Sequence, residues 1–140
     1  MYLIDTNVIS EIRKGKNANK GVQDFFSQIA VNDTPIYLSV ITIGELRRGI
    51  EMIRHRNDEK QAKILENWLD DILLKYAQYI LPFDTNTALL WGYLRVPHYE
   101  NLLDKQIAAT ALINDLTVVT RNTTDFAKSR VNILNPFKDK

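Results

Sequence analysis

Short apolar runs alternate along this chain with stretches whose apolar residues recur every three or four positions. That alternation constrains the fold more than any other feature, because the two spacings belong to strands and to amphipathic helices. Tyr2, Leu3 and Ile4 form the first run and stop on Asp5. "TNVISEIRKG" then sets Val8, Ile9 and Ile12 on a short helical face ending near Gly15. "KNANKG" is a loop by composition, and "VQDFFSQIA" restores a helix through Val22, Phe25, Phe26 and Ile29. Pro35 opens a second strand of Ile36, Tyr37, Leu38 and Val40, and "IGELRRGIEMIRHR" follows with Leu46, Ile50 and Ile53 on one stripe.

Residues 59–80 read as one long helix carrying Leu65, Leu69, Ile72, Tyr76 and Ile80, with the option of projecting as a helical hairpin. "YILPFD" is a short strand into a turn, and Asp84 is placed to cap the helix of "TNTALLWGYLR". "NLLDKQIAATALIND" is a helix rich in alanine, able to approach its neighbours closely. "LTVVTRN" and "VNILNP" supply the last strands. Strands that alternate with helices predict an α/β fold with a parallel sheet covered on both faces. No repeat, low-complexity segment or second domain interrupts the 140 residues, which read as one domain.

Cysteine is absent and only His55 and His98 are present, so thiolate chemistry, disulfides and nitrogen–sulfur zinc sites are excluded. A metal here would be held by oxygen, which selects magnesium or manganese. No apolar run approaches the length of a membrane span, and the first run is too short for a signal peptide, so a cytoplasmic protein is expected. The net charge of +1 does not by itself argue for nucleic acid. Two segments are locally basic: Arg47, Arg48, Arg54, His55 and Arg56, and then Arg121, Lys128 and Arg130. The pairs Arg47–Glu51 and Arg54–Asp58 have helical i, i+4 spacing, so most of this charge reads as solvated helix surface. One or two of these cations remain candidates for phosphate contact.

Four acids fall where open α/β sheets bind ligands, beyond the carboxyl ends of the strands. Asp5 ends the first strand and Glu45 follows the second. Asp104 begins the alanine-rich helix, and Asp125 lies in "TRNTTDF" past the "LTVVTRN" strand. Each has an ordinary structural use. Asp5 can cap the next helix, Thr42 and Glu45 have capping-box spacing, Asp104 suits a helix's first turn, and Asp125 can cap a turn near Phe126. Together they mean more. Four carboxylates at one sheet edge repel one another and raise each other's pKa unless a cation compensates. One or two divalent ions in such a site activate water and stabilise a leaving oxygen, which is the chemistry of phosphodiester hydrolysis.

"YLIDTNVISEI", "SVITIGELRRGI" and "LLDKQIAATALINDLTVVTRNTTDF" together resemble the PIN-domain ribonucleases, and among them the VapC toxins of bacterial toxin–antitoxin pairs. "LPFDTNTALLWGYLR" is similar to the same branch. The resemblance runs over nearly the whole chain, with its blocks in order. It implies a single PIN-like domain over residues 1–140, a three-layer α/β/α sandwich with a mainly parallel central sheet. It further implies a Mg2+- or Mn2+-dependent endoribonuclease cutting single-stranded or loop RNA, with transfer or ribosomal RNA the preferred substrates. On the family pattern Asp5, Glu45, Asp104 and Asp125 are the catalytic acids and the metal site. Asp5 and Asp104 would bind metal directly, Glu45 would bind metal or orient water, and Asp125 would hold a second ion through water. Thr6, Asn7, Thr120 and Asn122 lie beside these acids and are expected to hydrogen-bond them. The resemblance also implies a homodimer, neutralised by a small VapB-like antitoxin that reaches into or near the acidic site. Promoter DNA would be bound through that antitoxin and not by this chain.

Lys105 departs from the commonest pattern, in which a small or apolar residue follows the acid. Its ammonium has three expected fates: solvent, a neighbouring carboxylate, or RNA phosphate. Trp68 and Trp91 sit in apolar helical patterns and read as packing residues, whereas Tyr93, His98 and Tyr99 lie in a turn before Asp104 where an exposed ring can stack on an unpaired base. The main rival is a non-catalytic interaction module of the same fold within a regulatory complex, against which the full set of acids argues. Receiver domains and haloacid-dehalogenase-type phosphatases want a second carboxylate near the first strand, where this chain has Asp5-Thr6-Asn7. A P-loop is excluded because no glycine-rich phosphate loop follows any strand.

Overall fold

Parallel strands cannot be joined by a tight turn, so each connection in such a sheet must cross over its face. The computed structural model, which describes residues 1–139, is built on that rule. Five strands, β1 (Tyr2–Ile4), β2 (Ile36–Ser39), β3 (Ile80–Leu81), β4 (Thr117–Val119) and β5 (Ile133–Leu134), form one sheet in the order β3-β2-β1-β4-β5. All four pairings are parallel, with Tyr2 opposite both Ile36 and Thr117. The crossovers carry helices α1 (Thr6–Ile12), α2 (Lys20–Asn32), α3 (Val40–His55), α4 (Glu59–Lys75), α5 (Thr85–Leu94) and α6 (Leu102–Ile113), and the short α7 (Thr123–Phe126) follows β4.

Alternation along each strand divides the core into two layers, as the pleat requires. Leu3 and Val118 point to one face, where they pack with Ile107, Ala108, Ala111 and Phe126. Ile4 and Val119 point to the other, against Val8, Val22, Leu38, Leu46, Leu65 and Leu69. The sheet is thus covered on both sides, as the sequence pattern requires. The alanines of α6 are wholly buried, and their small side chains let that helix lie close to the sheet.

Several local expectations are corrected. The second strand ends at Ser39, whose hydroxyl accepts from the Ile41 N–H and caps α3. Val40 is therefore the first residue of the helix, and Thr42 lies buried inside it. The Thr42–Glu45 capping box does not exist, which frees Glu45 from that role. The long helix stops at Lys75, and Ile80 belongs to β3, so an apolar residue at helical spacing serves a strand. The α3–α4 pair does not project: Leu46 and Ile50 share one core with Ala62, Leu65 and Leu69. Arg54 pairs with Glu51, Glu59 and Glu66 instead of Asp58, whose side chain caps α4 through the Gln61 N–H. Arg47 reaches Glu51 at 3.2 Å as expected, and also Glu66 at 3.1 Å. Among the described residues no helix is long and apolar enough to cross a membrane.

The C-terminal segment is clamped on the start of α2. The Asn19 side chain accepts from the N–H groups of Gly21 and Lys138 and donates to the Lys138 carbonyl at 2.8 Å. Gly21 is required by this approach, since a Cβ there would stand 2.1 Å from the Pro136 carbonyl oxygen. Gly21→Ala should accordingly lose about 1–3 kcal/mol of stability, the usual cost of forced overpacking. Urea unfolding of the two proteins checks this, and an unchanged midpoint would show that the tail yields freely.

Candidate active site

A helix that packs back across a parallel sheet starts at the carboxyl edge of the strands, so helix beginnings collect there. Asp5 caps α1 directly after β1, and Glu45 lies in the second turn of α3 after β2. Asp104 is in the first turn of α6, which leads back into β4, and Asp125 is in α7 just beyond β4. The chain order that placed four acids near one edge thus delivers all four to it.

Asp5 is almost wholly buried, at 2% exposure. Its Oδ1 accepts from the Thr6 N–H at 2.8 Å, and its Oδ2 accepts from the Thr120 hydroxyl at 2.7 Å and the Asn7 amide at 3.2 Å. The Asn7 side-chain oxygen Oδ1 in turn accepts from the Arg121 N–H, and the Thr120 hydroxyl accepts from the Asn122 N–H at 2.9 Å. Asn7 and Thr120 therefore stitch the ends of β1 and β4 together around the carboxylate. Asn122 enters this network through its backbone. Burial raises the Asp5 pKa, and the hydrogen bonds from Thr120, Thr6 and Asn7 oppose that rise.

Thr6 connects the second acid. Its hydroxyl donates to Glu45 Oε1 at 2.9 Å and lies 3.4 Å from the buried hydroxyl of Thr42. The Glu45 pKa is raised by burial first and by the charge of Asp5, while Thr6 and Arg48 act to lower it. Asp104 is the most perturbed of the set. Its pKa is pushed up to about 7, chiefly by burial and then by the charges of Asp5, Asp125 and Glu45. Every other acid of the set acts on it, and no cation is among the causes.

The donor set fits a hard divalent cation. It is all oxygen, it carries mutual repulsion that a cation would relieve, and two of its members are oriented by hydroxyl and amide donors. Among the described residues no three acidic or histidine side chains already stand at chelating distance, so the acids are gathered by their elements and not clasped to one another. Beside them a cleft of about 270 Å3 runs from Thr6 and Glu45 along α3 to Arg13 and Trp68. Trp68 is thus a cleft wall as well as a packing residue, with the Arg13 guanidinium 5.9 Å from its ring centre.

Lys105 reaches neither solvent nor a direct ion pair, although its charge helps to lower the pKa of Glu100. It is 2% exposed, and its ammonium donates to the backbone carbonyls of His98 and Glu100. The lysine turns away from the acids and ties the preceding loop to α6. Sequence reasoning missed it because the side chain's partners are backbone atoms, which leave no pattern of residue types. Thr42 was missed for a different reason: its spacing from Glu45 mimicked a cap.

The family model described as "PIN domain" matches residues 2–131. The chain is 36% identical to "Toxin FitB" of Neisseria gonorrhoeae, over 99% of this chain and 100% of the relative. It is 31% identical to "VapC ribonuclease Y4jK" of Sinorhizobium fredii, over 99% of each. A solved structure described as FitAB bound to an IR36 DNA fragment superposes with a TM-score of 0.82 at 32% identity, covering 100% of this chain and 98% of that one.

The raised Asp104 value fixes the sign of a pH effect. Between its ordinary value of 3.8 and about 7, the folded protein holds a proton that the unfolded chain releases. Stability from this group is therefore lost as pH rises through that window. In metal-free buffer Asp104→Asn should melt higher than the parent at pH 8, with the difference shrinking towards pH 5. Thermal unfolding at the two pH values checks this, and a variant that melts lower at pH 8 would contradict it.

Proposed function

The chain belongs to the PIN-domain family, in its branch of VapC-type toxins, and on that premise we propose that it is a divalent-metal-dependent endoribonuclease held in check by an antitoxin. The observation that carries the reading is the convergence on Asp104, whose pKa is raised by burial and then by the charges of all three other acids at the same sheet edge. Asp5, Asp104, Glu45 and Asp125 would hold Mg2+ or Mn2+, with Asp5 and Asp104 binding it directly. The bound cation would supply an activated water and charge stabilisation for the leaving oxygen of a phosphodiester.

The rest of the chemistry falls to this chain's own residues. Thr120, Asn7 and the Thr6 N–H hold both oxygens of Asp5, so that this carboxylate is fixed before any ligand arrives. The Thr6 hydroxyl holds Glu45 Oε1, leaving its second oxygen to bind metal or to orient water. Asp104 must shed its proton to serve, so activity should rise with pH as that carboxyl ionises. Single-stranded or loop RNA is the proposed substrate, with transfer or ribosomal RNA preferred, since unpaired loops are where proteins read RNA.

The proposed partner is a small VapB-like antitoxin. The cleft from Glu45 to Trp68 is lined by Leu46, Ile50, Ile53 and Leu65 and offers an apolar seat that ends at the acids. Promoter DNA would be reached through that partner, as suits the relative whose complex was solved on DNA. Exposed Leu102 and Leu103 at the start of α6 support a homodimer. A cytoplasmic site of action accords with RNA as substrate.

Asp104→Asn is the cleaner probe of catalysis. An amide in place of the Asp5 carboxylate would set its NH2 against the Asn7 amide, mixing lost chemistry with a lost hydrogen bond. Purified, antitoxin-free protein should cut total cellular RNA into discrete fragments with Mg2+ or Mn2+ and not with excess chelator. Asp104→Asn should reduce the rate more than about 100-fold while staying folded, the range or beyond for disturbing a metal centre. Cleavage that persists in chelator, or in the variant, would defeat the proposal; folded, metal-loaded protein that cuts nothing would favour the non-catalytic module.

A further inference from the structure

A second cavity, of about 210 Å3, opens between the end of α5 with the loop that follows it and the turn after α7. One wall is Tyr93, Val96, Pro97 and His98, and the other is Lys128 and Arg130. Both walls are fixed to the elements that carry the acids. Lys105, the neighbour of Asp104, grips the carbonyls of His98 and Glu100, and Lys128 lies three residues beyond Asp125 in the turn that continues α7.

The lining combines the two features that recognise a nucleotide without reading its sequence, an exposed ring for the base and cations for the phosphate. Tyr93, in the last turn of α5, is 74% exposed, so its ring is offered to solvent. Arg130 adopts a left-handed backbone conformation, φ 60°, which costs any residue other than glycine some strain. Glycine would relieve that strain, yet the position carries a guanidinium. Lys128 has one carboxylate near it, Glu100 at 3.6 Å. An exposed pair of this kind contributes little, so a phosphate can replace the carboxylate at small cost.

We propose that this cleft is a nucleotide subsite, in which the RNA strand leaving the acidic centre places one base against Tyr93 and its phosphates against Lys128 and Arg130. The proposal rests on the ribonuclease reading above and extends it to the path of the substrate. The subsite is tolerant of sequence, because a stacking ring and two cations recognise any base and any phosphate. Specificity for a particular RNA must then come from elsewhere on the molecule.

Salt dependence tests it directly. Full-length, antitoxin-free protein is titrated onto a fluorescent single-stranded RNA of random sequence, in excess chelator to prevent cleavage, across a range of salt concentrations. Each phosphate contact on a single strand contributes about 0.7 to the slope of log K against log salt. The double variant Lys128→Ala, Arg130→Ala should bind about tenfold more weakly, with a slope shallower by about 1.4. Tyr93→Ala should weaken binding about tenfold and leave the slope unchanged, as loss of stacking does. Lys60→Ala, Lys63→Ala on α4 removes equal charge far from the cleft and should alter neither quantity. An unchanged slope in the first variant, or an equal loss in the α4 control, would overturn the subsite. Should the parent cut RNA with metal while the first variant keeps its slope, the subsite alone fails. Should the parent neither bind nor cut RNA, the ribonuclease reading fails and takes the subsite with it.

Discussion

A carboxylate sealed between two strand ends is held at the point from which the rest of the site is measured. Taking Asp5 out of water is costly, and the protein meets that cost with three donors supplied by Thr6, Asn7 and Thr120. Those donors follow the carboxyl ends of both β1 and β4, whose parallel register sets Ile4 beside Val119. The same hydrogen bonds that satisfy the acid therefore also align the central strand β1 with its neighbour β4. From there the helices that begin at this edge bring Glu45, Asp104 and Asp125 into one field.

That field explains why the site is poised and not settled. Asp5 is compensated by hydrogen bonds, Glu45 in part by Thr6 and Arg48, and Asp104 by nothing but a proton. Stability and chemistry pull in opposite directions here. The acids would be cheaper apart, and the fold holds them together where a divalent cation would remove the repulsion. Lys105 shows the same economy in another form. A lysine one residue from Asp104 could have cancelled the charge, but its ammonium is spent on backbone carbonyls of the loop that precedes α6.

The order of strands and helices was legible because each has its own apolar period, and the acids were legible because they recur after those periods end. Asp84 capping α5 is a case in which local chemistry alone decided, through bonds to the Thr87 N–H and hydroxyl. The misreadings arose where two signals competed. Val40 continues the apolar run of β2, but the Ser39 hydroxyl had already begun a helix. Ile80 keeps helical spacing with Tyr76, yet the chain turns between them and pairs with β2. Arg54 has Asp58 at ion-pair spacing, but α4 brings Glu59 and Glu66 closer from another helix. The cleft walls at Tyr93 and Arg130 come from distant segments, so only the folded chain joins them.

On the proposed reading these acids share protons and a cation as one unit. Calorimetric titration with Mn2+ at pH 7, repeated in buffers of different ionisation enthalpy, measures the protons released on binding. With the Asp104 carboxyl titrating at about 7, roughly half a proton should leave per site, and Asp104→Asn should release far less and bind much more weakly. Tight binding with no proton release, or affinity undiminished in the variant, would show that the cation sits elsewhere.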